Sequence, residues 1–197
     1  MDIAHLALAL GASLTAGLNL YLTILTLGLL NYYRLLDLPP DMQILSHPWV
    51  LFTAMALFLI EFVADKIPYL DNTWDAIHGF IRVPAGAILA AAALSDLPAH
   101  LVWVAALMGG FVSFSAHGAK ASTRLAANTS PEPFTNWILS FLEDFLSLGV
   151  LWLVTDYPYV AFLISVLLLS VFLAVIYVFY RFFKRVLFGW RQSKPAT

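Results

Sequence analysis

The sequence predicts an all-α protein, a polytopic bundle of about six transmembrane helices that forms one membrane domain over residues 1–197. The composition is 61% hydrophobic and only 11% charged, whereas a soluble domain is about one quarter charged. Several apolar runs are also long enough to cross a hydrocarbon layer of roughly 30 Å, which requires about 20 helical residues. The lipid bilayer is therefore the expected surroundings of most of the chain.

Three spans are expected in the first half of the chain. The apolar runs end where they meet prolines or clusters of polar residues, which break helices. Pro84 suits the first turn of a helix because it has no amide proton to leave unpaired there. The predicted spans are Ile3–Leu30, His47–Lys66 and Pro84–Leu97.

Three further spans are expected in the second half. The first begins at Pro98 and continues to about Arg124, and the proline-containing segment 128–133 separates it from the next span. The other two spans are Asn136–Thr155 and Pro158–Phe183, and a basic tail follows at residues 189–197.

The segment between the second and third spans has an amphipathic pattern. At about 100° per residue, Asp71, Asp75, His78 and Arg82 share one helical face. This pattern predicts a helix lying in the membrane interface, with Asp71 as its N-cap. Asp71, Asp75 and His78 also have ligand types suited to a divalent cation, although a solvated interfacial face explains them as well.

The distribution of lysine and arginine predicts the orientation, because these residues favour cytoplasmic loops. With six spans and the N-terminus inside, Arg34 is the one basic residue of the ten that falls outside. Both termini are therefore expected in the cytoplasm, and the tail 189–197 is expected to be cytoplasmic too.

Polar residues recur at helical spacing in four of the spans. Side chains three or four residues apart are neighbours on a helix surface, and ionisable groups in a membrane usually face the bundle interior. The alternative for Glu61 or Glu143 is an internal ion pair with Lys120 or Arg124. The candidate transport or binding residues are Asn19, Glu61, Asp65, Lys66, His117, Lys120, Arg124, Asn128, Glu143 and Asp144.

The order of the spans suggests an internal repeat of residues 1–97 and 98–188. Each half begins with a span rich in hydroxyl and small residues, continues with an acidic span and closes with an apolar one. Two three-helix units in series must be inverted relative to each other, an arrangement common in transporters.

The net charge, the cysteine content and the small residues indicate which binding partners are expected. A formal net charge of −2 and the lack of a basic stripe argue against nucleic acid. Cysteine is absent, so the chain has no disulfide, thiol nucleophile or thiolate metal site. The small-residue segment Ala85–Ala93 offers a face that could pack closely against a second copy of the chain.

One set of motifs is distinctive. It consists of EFVADKIP at residues 61–68, Asp71, Trp74, Asp75, Ile77, His78, RVPAG at 82–86, His117, Lys120, Arg124, Asn128, Glu143 and Asp144. With these motifs the chain resembles, from the first span to the fifth, a family of small multi-pass membrane proteins from bacteria and plastids known as domain of unknown function 4126. The resemblance implies a membrane protein, here of the bacterial inner membrane, and supplies no established chemistry.

Three functions fit these features. The favoured hypothesis is a small secondary transporter or channel-like carrier, in which the buried carboxylates and the His117/Lys120/Arg124 stripe handle an ion or small solute. The second is a membrane enzyme acting on phosphate headgroups, with a divalent cation on Asp71, Asp75 and His78 and phosphate on Lys120 and Arg124. The third is a non-catalytic assembly component that binds anionic lipid through its basic tail.

Overall fold

The computed structural model describes residues 2–67, 69–129 and 133–189, without the side chains of 133 and 186–189. Within these ranges the chain is entirely helical outside its turns and connections. A 3₁₀ helix, Pro40–Ser46, lies between the second and third α-helices. The α-helices are α1 (Ile3–Leu18), α2 (Leu20–Tyr32), α3 (Pro48–Ala64), α4 (Leu70–Ala93), α5 (Ala99–Ala127), α6 (Pro133–Asp156) and α7 (Pro158–Gly189).

The helix lengths confirm the predicted all-α membrane bundle. Four helices, α4 to α7, are long and apolar enough to cross a membrane. A fifth span is available when the 3₁₀ helix and α3, bent by 65° at their junction, are taken together. The predicted sixth span is not confirmed, because α1 and α2 have only 16 and 13 residues.

The first predicted span, Ile3–Leu30, is broken at Asn19. The backbone of Asn19 is extended, with φ −145° and ψ 97°, and its side-chain oxygen accepts a hydrogen bond from the amide of Leu22 at 3.0 Å. Asparagine side chains compete with the helical backbone in this way and favour helix starts. The continuous apolar run is therefore two helices joined at a capping residue.

The predicted interfacial helix and the third span are one continuous helix, α4. The helix begins at Leu70, so Asp71 lies in its first turn rather than at the N-cap, and Pro84 lies inside it rather than in a first turn. The polar face of residues 71–82 is buried, not solvated. The face turns inward because charged groups of α3 and α5 provide partners for it.

Small residues bring α1, α4 and α5 into close contact. A side chain in place of Gly17 would collide with the backbone of Ser113, and one in place of Gly86 would collide with the Ser113 side chain. Gly109 of α5 likewise abuts Ala90 of α4. Small residues allow such close approach between membrane helices. This part of the Ala85–Ala93 face therefore packs within the chain; association with a second copy stays a prediction.

Two serine hydroxyls join the same three helices by hydrogen bonds. Ser13 of α1 donates to the carbonyl of Gly86 at 2.9 Å, and Ser113 of α5 donates to the carbonyl of Arg82 at 2.8 Å. The three helices thus hold the charged faces of α4 and α5 in a fixed position.

The last helix, α7, ends in exposed basic residues. Arg181, Lys184 and Arg185 are all exposed, and long apolar side chains such as Leu163, Leu167 and those around them cover its outer surface. Of the predicted basic tail 189–197, residues 190–197 lie outside the described part of the chain.

The inverted repeat finds no support in the helix lengths. The break at Asn19 has no counterpart in α5, which is continuous over 29 residues. The division into halves 1–97 and 98–188 therefore stays a prediction from residue classes.

Candidate functional site

A buried charge network occupies the space between α3, α4, α5 and α6. No member has a side chain more than 10% exposed. The polar stripe of α4, from Asp71 to Arg82, rises about 16 Å at about 1.5 Å per residue. The network therefore reaches deep into the bundle. It consists of Glu61, Asp65, Asp71, Asp75, Arg82, Lys120, Arg124 and Glu143.

Arg82 connects α4 to α3 at the inner end of the network. One guanidinium nitrogen lies 2.5 Å from Glu61 Oε1, and the other lies 2.8 Å from Asp75 Oδ1. Arginine suits this role because its planar fork can donate to two acceptors at once. Arg82 therefore does not lie at a membrane surface, as the interfacial-helix prediction implied, but inside a span.

Lys120 lies at the centre of the network. Its ammonium is 3.1 Å from Asp65, 3.3 Å from Glu143, 3.4 Å from Asp75 and 3.6 Å from Glu61. One lysine thus contacts carboxylates from α4, α6 and the end of α3. The ion pairs considered as an alternative for Glu61 and Glu143 are present.

Arg124 connects the outer part of the network. It lies 2.6 Å from Glu143 Oε2, 3.2 Å from Asp65 Oδ2 and 3.6 Å from Asp71 Oδ2. It also donates to the backbone carbonyl of Asp65 at 2.6 Å. Asn128, the C-cap residue of α5, donates to both oxygens of Asp71 at 3.0 and 3.1 Å. These bonds fasten α5 to the α3–α4 connection and to α6.

The network contains more acids than bases. Three cations, Arg82, Lys120 and Arg124, face the five carboxylates of the network. One oxygen each of Glu61, Asp65 and Asp75 has no hydrogen-bond partner among the described protein atoms. Buried ion pairs require such partners, and removing one member typically costs about 3–5 kcal/mol. The cations are therefore the scarcer and more strongly held members.

Asp144 differs from the other buried carboxylates. Its Oδ1 accepts a hydrogen bond from the Asn19 amide at 3.0 Å, and no basic nitrogen in the described chain lies within 4.0 Å of it. The residue is only 9% exposed. Asp144 is thus a buried carboxylate held by a neutral donor.

Asp144 also lines a cavity of about 210 Å³ beside the network. The other lining residues are apolar: Leu22 of α2, two phenylalanines of α3, two phenylalanines of α6, and Leu148. The rings of Phe62 and Phe141 meet across it edge to face, with centroids 6.0 Å apart. Asp144 is the one charged group on this surface.

The helix break lies where the network and Asp144 meet. On the α1 side, the carbonyl of Leu18 accepts a hydrogen bond from Lys120 at 3.1 Å. On the α2 side, Asn19 caps the first turn and donates to Asp144. Helix ends leave backbone groups without intrahelical partners. Here the Leu18 carbonyl is bonded by Lys120 of α5, and the Leu22 amide is bonded by the Asn19 side chain.

His117 of α5 packs against the middle of α4, and His78 belongs to α4 itself. His117 Nδ1 lies 3.3 Å from Arg82, and its ring lies over Gly79, where an added side chain would meet Nε2 at 2.5 Å. The His78 ring stacks on Trp74 with centroids 4.0 Å apart, and its Nδ1 lies 2.8 Å from the Trp74 carbonyl.

The three residues predicted to bind a divalent cation have separate partners. Asp71 bonds to Asn128, Asp75 pairs with Arg82 and Lys120, and His78 contacts Trp74. Over the described residues, no group of three His, Asp or Glu side chains is arranged to hold a metal ion. The cation site stays a prediction from ligand types alone.

Lys66 lies outside the network, in the connection that follows α3. Its ammonium sits 3.0 Å from the centroid of the Phe62 ring and 4.8 Å from that of Phe141, and it donates to Ser140 Oγ at 3.2 Å. Partial burial lowers the pKa of the Lys66 ammonium, while the charge of Asp144 opposes that shift. Lys66 thus borders the cavity rather than the ion pairs.

The structure gathers nine of the ten candidate residues around the network and the helix break, with Lys66 at the margin. Sequence reasoning missed Asp71, Asp75 and Arg82 as members of the interior. The helical face that these residues share was visible in the sequence, but it was assigned to the membrane interface and solvent.

One family model, described as "Domain of unknown function (DUF4126)", matches residues 6–178. The match covers every helix except the end of α7 and the first residues of α1. No curated protein and no solved structure matches the chain.

Proposed function

The chain belongs to the DUF4126 family, and we propose that it is a small secondary transporter or channel-like carrier for an ion or small solute. The family description supplies no activity, so the proposal depends on the site. Its binding centre is the helix break at Asn19 together with the carboxylate of Asp144.

The observation that carries the proposal is a buried carboxylate without a basic partner at a broken helix. A charge in a low-dielectric interior is costly unless it is neutralised. Asp144 has only the Asn19 amide as a partner within the described residues, so a proton or a bound cation is its natural counterpart. Membrane transporters commonly place ion and substrate sites at discontinuous helices near the bilayer midplane.

The ion pairs by themselves support a structural role. Glu61 and Glu143 each contact two basic groups, so neutralising either one would disturb packing. A purely structural bundle has no need of Asp144, which neutralises none of the buried cations. The transport role therefore belongs to Asp144 and Asn19, and the network serves as the rigid frame that positions them.

The headgroup-enzyme alternative has less support. Lys120 and Arg124, which would have to bind phosphate, are already paired with carboxylates at 3.3 Å or less. Phosphate binding would require those pairs to break. The flux assay also tests the assembly-component alternative, which predicts no transport by the folded protein.

We also propose that the protein lies in a bacterial inner membrane with the end of α7 in the cytoplasm. The predicted cytoplasmic N-terminus does not fit this arrangement, because Leu6 of α1 lines a cavity with Leu97 and Phe162, at the end of the bundle where α7 begins.

Three of the basic residues expected at the cytoplasmic surface, Arg82, Lys120 and Arg124, are buried in the bundle. The orientation therefore depends on Lys66 and on the exposed end of α7, against Arg34 at the other surface. This orientation places the network in the cytoplasmic half of the bundle.

The test is a flux assay on purified protein in liposomes. Internal pH is followed with an entrapped dye while gradients of cations and small anions are imposed in turn. We expect proton movement coupled to one gradient in the wild type and in Asp156→Asn, which removes an exposed acid at the end of the same helix. We expect the movement to be lost in Asp144→Asn.

Two results would overturn the proposal. The first is a folded wild-type protein that moves no charge or proton under any gradient, which would favour the assembly component. The second is a full wild-type flux in Asp144→Asn, which would place any transport elsewhere in the bundle.

A further inference from the structure

The cavity beside Asp144 has the composition of a cation cage. It is lined by four phenylalanine side chains and one carboxylate. We call this space the aromatic cleft, formed by Phe58 and Phe62 of α3, Phe141, Asp144, Phe145 and Leu148 of α6, and Leu22 of α2.

Aromatic faces attract cations because the ring carries negative charge density on its face. The cleft already shows this behaviour within the chain, since the ammonium of Lys66 lies 3.0 Å from the centre of the Phe62 ring. Asp144, a carboxylate without a basic partner in the described chain, lies in the wall of the same cavity, where a positive ligand would balance its charge. A positive ligand is therefore favoured by both kinds of group.

The apolar side chains that line the cleft favour an organic cation over a metal ion. Metal ions such as Ca²⁺ and Mg²⁺ require several oxygen ligands, whereas the cleft offers one carboxylate among apolar side chains. An alkylated ammonium ion needs no such shell, and aromatic cages commonly recognise it. The apolar lining thus suits a cation that carries methyl groups.

The volume limits the size of the ligand. Pockets for drug-sized ligands usually measure about 300–1,000 Å³, and the aromatic cleft measures about 210 Å³. The ligand must therefore be small, with few atoms beyond the nitrogen and its methyl groups.

We propose that the aromatic cleft binds a small alkylated ammonium ion, with Asp144 as its counter-ion and the phenylalanine rings as its cage. The inference names the substrate class of the proposed carrier, so it rests on the proposed function. Its binding step, however, can be measured without any transport.

The experiment measures binding of tetramethylammonium to the full chain in lipid nanodiscs by calorimetry. Sodium and uncharged tert-butanol, which is similar in size, serve as control ligands. We expect tetramethylammonium to bind and both controls to give no heat above dilution. Asp144→Asn should weaken binding at least about tenfold, because a buried charge pair loses one member.

The aromatic side of the cage is tested with Phe62→Leu and Phe145→Leu. Each should weaken tetramethylammonium binding about threefold or more, the usual strength of one cation–ring contact. The matched control is Phe52→Leu, which removes an exposed ring of α3 that does not line the cleft. Asp156→Asn is the matched charge control on α6. Size-exclusion profiles and thermal unfolding report whether each variant is folded.

The outcomes separate the two proposals. Wild-type binding that equals that of sodium, or that survives both Phe62→Leu and Asp144→Asn unchanged in folded protein, overturns the ammonium site. If ion-coupled flux still depends on Asp144 in that case, the proposed carrier stands with another substrate. Binding that follows the predicted pattern without any flux supports the cleft as a binding site and overturns the carrier.

Discussion

The side-chain amide of Asn19 donates a hydrogen bond to the carboxylate of Asp144 across 3.0 Å, joining the break in the first apolar run to the middle of α6. The same asparagine caps α2 through its oxygen. Asn19 therefore makes two interactions: a local cap on α2 and a hydrogen bond between helices to α6. The two interactions can be separated by substitution.

Asn19→Ser should keep much of the cap and lose the bond to Asp144, whereas Asn19→Ala should lose both. Serine is a good N-cap but is too short to carry an amide to α6. We expect the alanine variant to be less stable than the serine variant by about 1 kcal/mol. Both should lose flux to a similar degree. Thermal unfolding and the liposome assay measure the two effects, and equal stability of the variants would show that the cap contributes nothing.

Arg82→Gln should destabilise the protein more than Glu61→Gln. The network has three cations and five carboxylates, so removing a cation increases the excess negative charge, while neutralising an acid reduces it. We expect a loss of about 3–5 kcal/mol for Arg82→Gln and a smaller loss for Glu61→Gln. Unfolding in mixed detergent, monitored by circular dichroism, compares them. A larger loss for Glu61→Gln would contradict the charge balance derived from the structure.

The packing of Gly79 against His117 predicts a rescue. A methyl group at position 79 would meet His117 Nε2 at 2.5 Å, so Gly79→Ala should cost about 1–3 kcal/mol despite the better helix propensity of alanine. Adding His117→Ala removes the clashing ring, and the double variant should recover much of that loss. The coupling is read from a double-mutant cycle of unfolding free energies. Additive losses would mean that the ring does not lie over Gly79.

Much of the site was readable from the sequence because polar side chains at helical spacing define a face. The stripes on α3, α5 and α6 predicted that Glu61, Lys120 and Glu143 would turn toward a common interior. In the structure both carboxylates lie within 3.6 Å of the Lys120 ammonium. Ionisable side chains exposed to lipid are costly in free energy, so a stripe of them in a membrane helix usually faces the interior of the bundle.

Two features were not readable in this way. An amphipathic face over residues 71–82 suits water as well as buried counter-charges, and only the position of α5 decides between them. Asn19, at the helix break, likewise bonds to Asp144, a partner 125 positions away in the chain. Periodicity describes one helix at a time, so it misses features that a second helix determines.

Substitutions of Lys66, which lies at the edge of the aromatic cleft, test the proposed ammonium site. Its ammonium occupies the face of Phe62 at 3.0 Å and brings a positive charge to the edge of the cleft. Lys66→Met keeps an unbranched apolar chain but removes that charge, so it should free the ring face and reduce repulsion of an entering cation. We expect tetramethylammonium to bind about threefold more tightly.

Lys66→Arg is the matched control, because arginine retains the charge and also stacks on aromatic faces. Its affinity for tetramethylammonium should stay near that of the wild type. Both variants should remain folded, since Lys66 is only partly buried and its hydrogen bonds to Ser140 and to the Phe62 carbonyl lie at the edge of the bundle. Weaker binding in Lys66→Met than in Lys66→Arg would mean that the lysine assists the ligand instead of competing with it, and the cage would then have to exclude the Phe62 ring.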